Sequence, residues 1–510
     1  MNGRPQTIAE MLEARAAIHP GREFLRCGEV TLTYREMAER ADAVASGLLR
    51  SGVGPGSRVG VLSEHSVALW ELLLGCCRLG AVPVLVNTRL APPEIDAVLS
   101  DAQAAVVLCS DTFAALAPNG QSLSDFCAAS KQIDPLPRPP GRDDDAVQLY
   151  TSGTTGLPKG VRTSHRNIVE LLAAVVTEVP GMGTDSVHLV AAPPFHIAGF
   201  GYGLLALTTG AVSVLLPAFE PAAVLKAIES ERCTSSLLVP AMLQAVVEHP
   251  DCVTTDLSSM RSVLYGGSPM PASLMRTVVE RLDVDLTQAY GLTETTGFAT
   301  LLRWDDHRAG MAAPSGSSAA RSLLSAGAPV PGTEVVIIDE SGVVAPAGCP
   351  GEVIVRGPTV MAGYWNRPKA NAQALDADGW FHTGDIGFLE SGQLFLVDRL
   401  GDKIVTKGEN VFPGEVEQIL ADLPEIAEVA IIAVPDDDHG ECLCAVVRFR
   451  AGAALTLRDL QDACRGQIAG YKVPRRLVVA DEPLPRTPSG KMQRRLVREP
   501  FWAGHERRVN

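Results

Sequence analysis

No run of apolar residues in this 510-residue sequence reaches the roughly 18 positions that a membrane span requires. A surplus of positive charge is missing as well: 44 lysines and arginines against 59 acidic residues leave a net charge of -15. That balance opposes bulk attraction to nucleic acid or to an anionic membrane, while a local basic patch for a phosphorylated ligand stays compatible with it. The first residues, MNGRPQTIAEMLEARAAIHP, lack the basic start and apolar core of a signal peptide. No internal repeat and no long charge block interrupts the chain. The eleven cysteines are scattered; Cys76 and Cys77 sit in LLLGCC, Cys442 and Cys444 alternate in CLCAVVRF, and neither spacing resembles a zinc site. So long a chain has no need of an exclusive disulfide framework. Buried free thiols in a reducing cytoplasm are expected instead.

What is present is a sustained α/β rhythm, in a chain long enough for two or more domains. From Leu32 to about Cys109, helix-period and strand-period segments alternate: YREMAERADAVASGLLRSG reads as a helix that stops at Gly52, RVGVLS as a buried strand, and ALWELLLGCCRLG as a helix. AVPVLVN and AAVVLCS follow as strands around the helical PPEIDAVLSDA. Repeated β-α-β of this kind predicts layered α/β subdomains with mostly parallel sheets. Residues 131–145, proline-rich and charged, predict a surface connection, and the rhythm resumes from Val147 to about Tyr290. The small, polar AGMAAPSGSSAARS of 309–322 predicts a mobile loop. After Pro329, TEVVIID, GEVIVRG and QLFLVDR predict a small antiparallel or barrel-like region, and a last α+β segment begins near Asp398.

One stretch has the composition of a phosphate-cradling loop: LYTSGTTGLPKG, Leu149 to Gly160. Glycines let backbone amides approach an anion, and Thr151, Ser152, Thr154 and Thr155 add hydroxyls beside Gly153 and Gly156. Lys159 adds a point charge. The Walker spacing is absent, because Lys159 follows Pro158 and precedes Gly160. A polar surface turn remains the alternative for the loop on its own.

Four further motifs follow in order: QAYGLTETT (Gln288 to Thr296), DGWFHTGDIG (Asp378 to Gly387), DRLGDKIVTKGENVFPGEVE (Asp398 to Glu417) and PLPRTPSGKMQRR (Pro483 to Arg495). Together with the loop they resemble the adenylate-forming superfamily of acyl-CoA synthetases, peptide-synthetase adenylation domains and firefly-type luciferases, from Leu32 to Lys491. The resemblance implies a large domain over 1–398 and a small mobile domain over 399–510 that hinges near Gly401. It implies attack of a substrate carboxylate on the α-phosphate of ATP, with pyrophosphate leaving and an acyl-adenylate forming.

The roles it implies are specific. The loop from Thr151 to Lys159 would hold the departing phosphates, Glu294 would bind Mg2+, and Thr293 would sit beside the α-phosphate. Gly266 and Gly267 would let adenine approach the backbone, with Tyr290 as a stacking face, and Ser268, Ala289 and Gly291 would join the ATP/AMP site; Asp385 would hold the ribose and Arg399 the ribose and phosphate region. Lys491 would carry adenylation, a flexible ammonium stabilising the charge that builds up in transfer. His196, beside Phe195 in PPFHIAGFGYG, would adjoin the acyl pocket together with Gly266, and the glycines at 199, 201 and 203 predict room there for a bulky acid.

Coenzyme A is the expected acceptor, since the chain is expected to end too soon after Lys491 for a carrier domain. The resemblance nominates Arg89 for the CoA phosphate, Tyr471 and Lys472 for its C-terminal contact, and Lys407, Gly408 and Glu409 for the pantetheine tunnel. Two departures stand out: Lys407 replaces the first glycine of a Gly-Gly-Glu-Asn loop, and Gly401 replaces the usual Asp or Lys pivot. A separate carrier protein as acceptor, a homodimer, and a non-catalytic nucleotide- or acid-binding relative all stay open.

Overall fold

The structure, a computed structural model, describes residues 4–151, 158–314, 316–399, 404–406, 409–436, 440–465, 467–486 and 492–503, without the side chains of 398, 399, 405, 406, 409, 410 and 440. Two compact units divide the chain: Met1–Gly266 with Val278–Val335 and Val355–His382, and Gly267–Thr277 with Val336–Ile354 and Thr383–Asn510.

The first unit contains a seven-stranded and a nine-stranded sheet. In the seven-stranded sheet Arg58–Leu62 is buried along its whole length and pairs in parallel with Val82–Leu85 on one side and Val106–Cys109 on the other. A strand covered on both faces needs the apolar run that Val59–Leu62 supplies after Arg58. The connecting helix Val67–Leu79 starts where the Ser66 hydroxyl accepts the Leu69 amide at 3.2 Å and ends at Gly80, φ 80°. Asp145–Thr151 joins in parallel and then turns back antiparallel into Lys159–Ser164, with Thr151 opposite Lys159. The two described ends of the phosphate-type loop, Thr151 and Lys159, are thus held side by side on neighbouring strands. In the nine-stranded sheet Ser262–Gly266 and Asp285–Tyr290 run parallel with Gly266 opposite Ala289. Thr300–Leu302 then returns antiparallel.

The loop expected at 309–322 is largely helical. Trp304–Ala312 and Ser318–Ser322 are short helices. They meet where a Cβ on Gly310 would lie 2.6 Å from Leu323 Cγ, and Leu323 is buried. The small residues there serve close packing.

Four strands, Glu334–Ile338, Gly351–Arg356, Phe381–Glu390 and Gln393–Arg399, form a further sheet whose last two pair antiparallel. In the second unit, Ile426–Asp436, Gly440–Phe449 and Arg476–Val479 make a three-stranded sheet. Helix Pro413–Ala421 buries Val416 and Leu420 in the same core as Ile431 and Leu443, and helix Leu457–Cys464 adds Leu460. The architecture is the expected one: a large α/β part and a small α+β part. All eleven cysteines are free; nine are buried, Cys27 is half-buried and Cys349 is exposed. No helix among the described residues is long and apolar enough to cross a membrane.

Candidate active site

The site forms where the hairpin meets the turn after Asp285–Tyr290. That turn needs Gly291, since a Cβ there would lie 2.4 Å from the Gly297 carbonyl carbon and 2.5 Å from the Phe298 nitrogen. A short 3-10 turn, Thr293–Thr295, follows, and Thr296 leaves it at φ 54°. A β-branched residue resists that left-handed backbone. Here the Thr296 hydroxyl is held by the Thr359 carbonyl at 2.6 Å. The result is that the Glu294 side chain is buried and faces the hairpin.

Two hydroxyls meet that carboxylate on the same oxygen. Tyr364 donates to Glu294 Oε1 at 2.9 Å, and Thr151 Oγ1 lies 3.4 Å from the same atom. The ammonium of Lys159 stands 4.6 Å from the centre of the Tyr364 ring. The strand Gly363–Tyr364 pairs antiparallel with Lys159–Ser164, Tyr364 opposite Val161. Asn371 fixes it further: its side chain accepts the Tyr364 amide at 2.6 Å and donates to the Tyr364 carbonyl at 3.0 Å. Tyr364 and Asn371 are absent from the residues nominated by sequence.

At Gly266 two backbones come close, because a Cβ would lie 2.4 Å from the Ala289 carbonyl oxygen. Tyr290 is buried at its strand end, Gly267 is exposed at φ 81°, and Ser268 follows it half-buried.

His196 is the residue before helix Ile197–Gly203, and its ring sits 4.8 Å from that of Phe195. Its Nε2 is sealed from solvent and has no hydrogen-bond partner among the described residues. Burial and then the charge of Arg89 push its pKa down to about 4, so the ring is neutral. Arg89, placed with CoA by sequence, therefore stands near His196. The backbone before His196 is held by His65, whose Nε2 lies 2.7 Å from the Ala192 carbonyl oxygen.

The glycines after His196 do not leave room. A Cβ on Gly199 would lie 2.1 Å from the Pro193 carbonyl oxygen, one on Gly203 2.3 Å from Trp70 Cη2, and one on Gly201 3.1 Å from Leu171 Cδ2. They let the helix pack closely, which overturns the expected space for a bulky acid.

Asp385, in the second unit, is buried and sits directly opposite Arg399 in the strand register. Also there, Lys472 pairs with Glu415, and Tyr471 packs on the apolar core. The backbone of Glu409 lies in a two-stranded ladder opposite Thr406. Ser152, Gly153, Thr154, Thr155, Gly156, Gly401, Lys407, Gly408 and Lys491 lie outside the described residues.

The profile of the AMP-binding enzyme family matches residues 12–365, and that of the AMP-binding enzyme C-terminal domain matches 415–491. The chain belongs to the AMP-binding enzyme family. It is 39% identical to a feruloyl-CoA synthase of Amycolatopsis sp over 98% of this chain and 100% of that protein. It is 34% identical to the fatty acid–[acyl-carrier-protein] ligase ScoC of Streptomyces coeruleorubidus, covering 99% and 98% of the two. The ATP-bound crystal structure of MatB from Rhodopseudomonas palustris superposes with a TM-score of 0.87 at 29% identity, covering 98% of this chain and 100% of that one. The superfamily expected from the motifs is thus the one found.

For an AMP-binding enzyme the test of a cation site is whether the donors suit a hard ion carried with phosphate. No group of three or more His, Cys, Asp or Glu side chains that could hold a metal gathers among the described residues. Mg2+ brought in with a nucleotide is held through one or two carboxylates, its other ligands being phosphate oxygens and water. The single buried Glu294 fits that pattern.

Proposed function

We propose that this acid–thiol ligase activates a carboxylic acid with ATP, releasing pyrophosphate, and passes the acyl group to the thiol of coenzyme A. The observation that supports this reading is the hairpin that sets Thr151 against Glu294 and brings Lys159 back along the same edge. A cationic loop and a buried carboxylate side by side suit a nucleotide triphosphate and its Mg2+. Thr293, Gly266, Ala289 and Gly291 would then adjoin the adenylate, with Asp385 and Arg399 at the ribose. Lys491 would serve adenylation, and rotation about Gly401 would bring in the Lys407–Glu409 loop for thioester formation.

An aryl acid is the first substrate class to test, given the 39% identity to a feruloyl-CoA synthase. His196 Nε2, on a neutral ring and without a partner among the described residues, supplies one polar contact beside an apolar wall that includes Phe195. A carrier-borne phosphopantetheine thiol is the second acceptor, given the ScoC match. Pyrophosphate release from ATP is to be followed across a panel of aryl, fatty and polycyclic acids, then thioester formation with free CoA or a loaded carrier. If no acid in the panel drives pyrophosphate release, the reading fails.

A further inference from the structure

We propose that Tyr364 is a positioning residue that sets the metal-facing oxygen of Glu294 and couples it to Lys159; this rests on the function proposed above. Both hydroxyl contacts to Glu294, from Tyr364 and from Thr151, fall on Oε1. Among the described residues that leaves Oε2 as the oxygen available to a cation. A carboxylate able to rotate would present either oxygen, and a bond of 2.9 Å to a buried phenol removes that freedom. Hydrogen bonds to an ionised group are also the stronger ones.

The same ring has a second task. Lys159 lies over its face at 4.6 Å, where the aromatic quadrupole attracts an ammonium. So one side chain touches both the loop cation and the buried carboxylate, with separate atoms. The backbone of Tyr364 is itself immobilised, paired to Val161 on one edge and bonded twice by Asn371 on the other. Its neighbour completes the anchor: the Trp365 amide donates to the Gly160 carbonyl at 2.8 Å, and the Arg58 guanidinium stacks 3.5 Å from the Trp365 ring centre. Tyr364 is thus held as a fixed support.

Separate atoms allow separate tests. Tyr364→Phe keeps the ring under Lys159 and removes only the hydroxyl. The full-length variant is to be titrated with Mn2+ by electron paramagnetic resonance, in the presence of an ATP analogue whose α,β-bridge cannot be cleaved. About tenfold weaker Mn2+ binding is expected, the size of one lost hydrogen bond to a charged group. Binding of the same analogue with the metal chelated should be unchanged. Tyr364→Leu, which removes the ring too, should weaken binding in both conditions. Unchanged Mn2+ affinity in Tyr364→Phe overturns the proposal, and so does equal weakening with and without metal. If the wild type binds Mn2+ with the analogue and releases pyrophosphate, such a result leaves the proposed function standing. If the wild type does neither, both fall.

Discussion

His65 and Trp70 share a hydrogen bond deep inside the first unit: the indole Nε1–H donates to His65 Nδ1 at 3.3 Å, with the rings nearly parallel. The proton of His65 is therefore on Nε2, where it donates to the Ala192 carbonyl at 2.7 Å. Tryptophan can only donate, so this fixes the tautomer. The chain Trp70, His65, Ala192 carries rigidity from a core helix to the segment that presents His196.

Replacing His65 by leucine leaves a buried carbonyl and a buried indole N–H without partners. The expected cost is about 1–3 kcal/mol for each stranded group. It should appear as a lower urea midpoint at unchanged slope. His65→Asn, which can both donate and accept, should recover part of the loss; equal damage in both variants would mean that shape, not the hydrogen bonds, matters.

Acid should destabilise the protein through its buried histidines. Burial holds His65 at about 4 and His188 at about 3, against an ordinary value of 6.5. Above the ordinary value neither state binds these protons, and stability is complete. Below it the unfolded chain takes up protons that the fold refuses, so stability falls until the folded values are reached. Each such histidine contributes a slope of up to about 1.4 kcal/mol per pH unit. His188→Asn should make the dependence shallower by close to one proton between pH 6.5 and the folded value. An unaltered slope would show that His188 is protonated inside the fold.

Arg58 and Asp145 form a buried pair at 2.6 Å, each about 7% exposed, and Arg162 joins the same carboxylate oxygen at 3.0 Å. Removing one partner of such a pair strands a charge, at about 3–5 kcal/mol. Asp145→Ala should lose that much, while a double variant with Arg58→Met should lose less than the sum of the two single changes. A double-mutant cycle on unfolding free energies measures the difference, and strict additivity would count against coupling.

Gly203→Ala tests the reassigned glycines. Its Cβ would meet Trp70, a wholly buried ring with nowhere to move, so a loss of about 1–3 kcal/mol is expected. Gly201→Ala faces the side-chain ends of Leu171 and Ile197 and should be tolerated. Ranking the two by thermal unfolding separates packing from pocket-making: if Gly203→Ala leaves stability intact and alters only which acids react, the glycines line the acid site after all.

Much of the fold was legible because buried parallel strands and amphipathic helices leave periodic signals, as in RVGVLS and in the helix that follows Thr33. Thr151 and Glu294 were each nominated from motifs, while the contact between them came only from the fold. Tyr364 was not: a tyrosine before Trp365 carries no chemical signature until the edge strand places its hydroxyl against Glu294. Small residues misled twice, at 309–322 and at Gly199–Gly203. A missing side chain makes space equally for a ligand, a solvent-exposed turn or a neighbouring backbone, and only the three-dimensional neighbours decide.

Two residues of the C-terminal segment divide the labour between the two halves of the reaction under the proposed function. Under the proposed function Lys491 serves adenylation alone, so Lys491→Ala should slow pyrophosphate release by about 10²–10³-fold, the usual loss for one transition-state charge contact. The same variant, supplied with preformed acyl-adenylate, should form thioester at close to the wild-type rate. Gly401→Pro should do the reverse, since proline fixes the backbone angle that a pivot must change. Two assays on two variants give four rates, and the proposal requires a crossed pattern. If each variant loses both steps equally, a single arrangement of the C-terminal segment serves both reactions and the alternation is wrong.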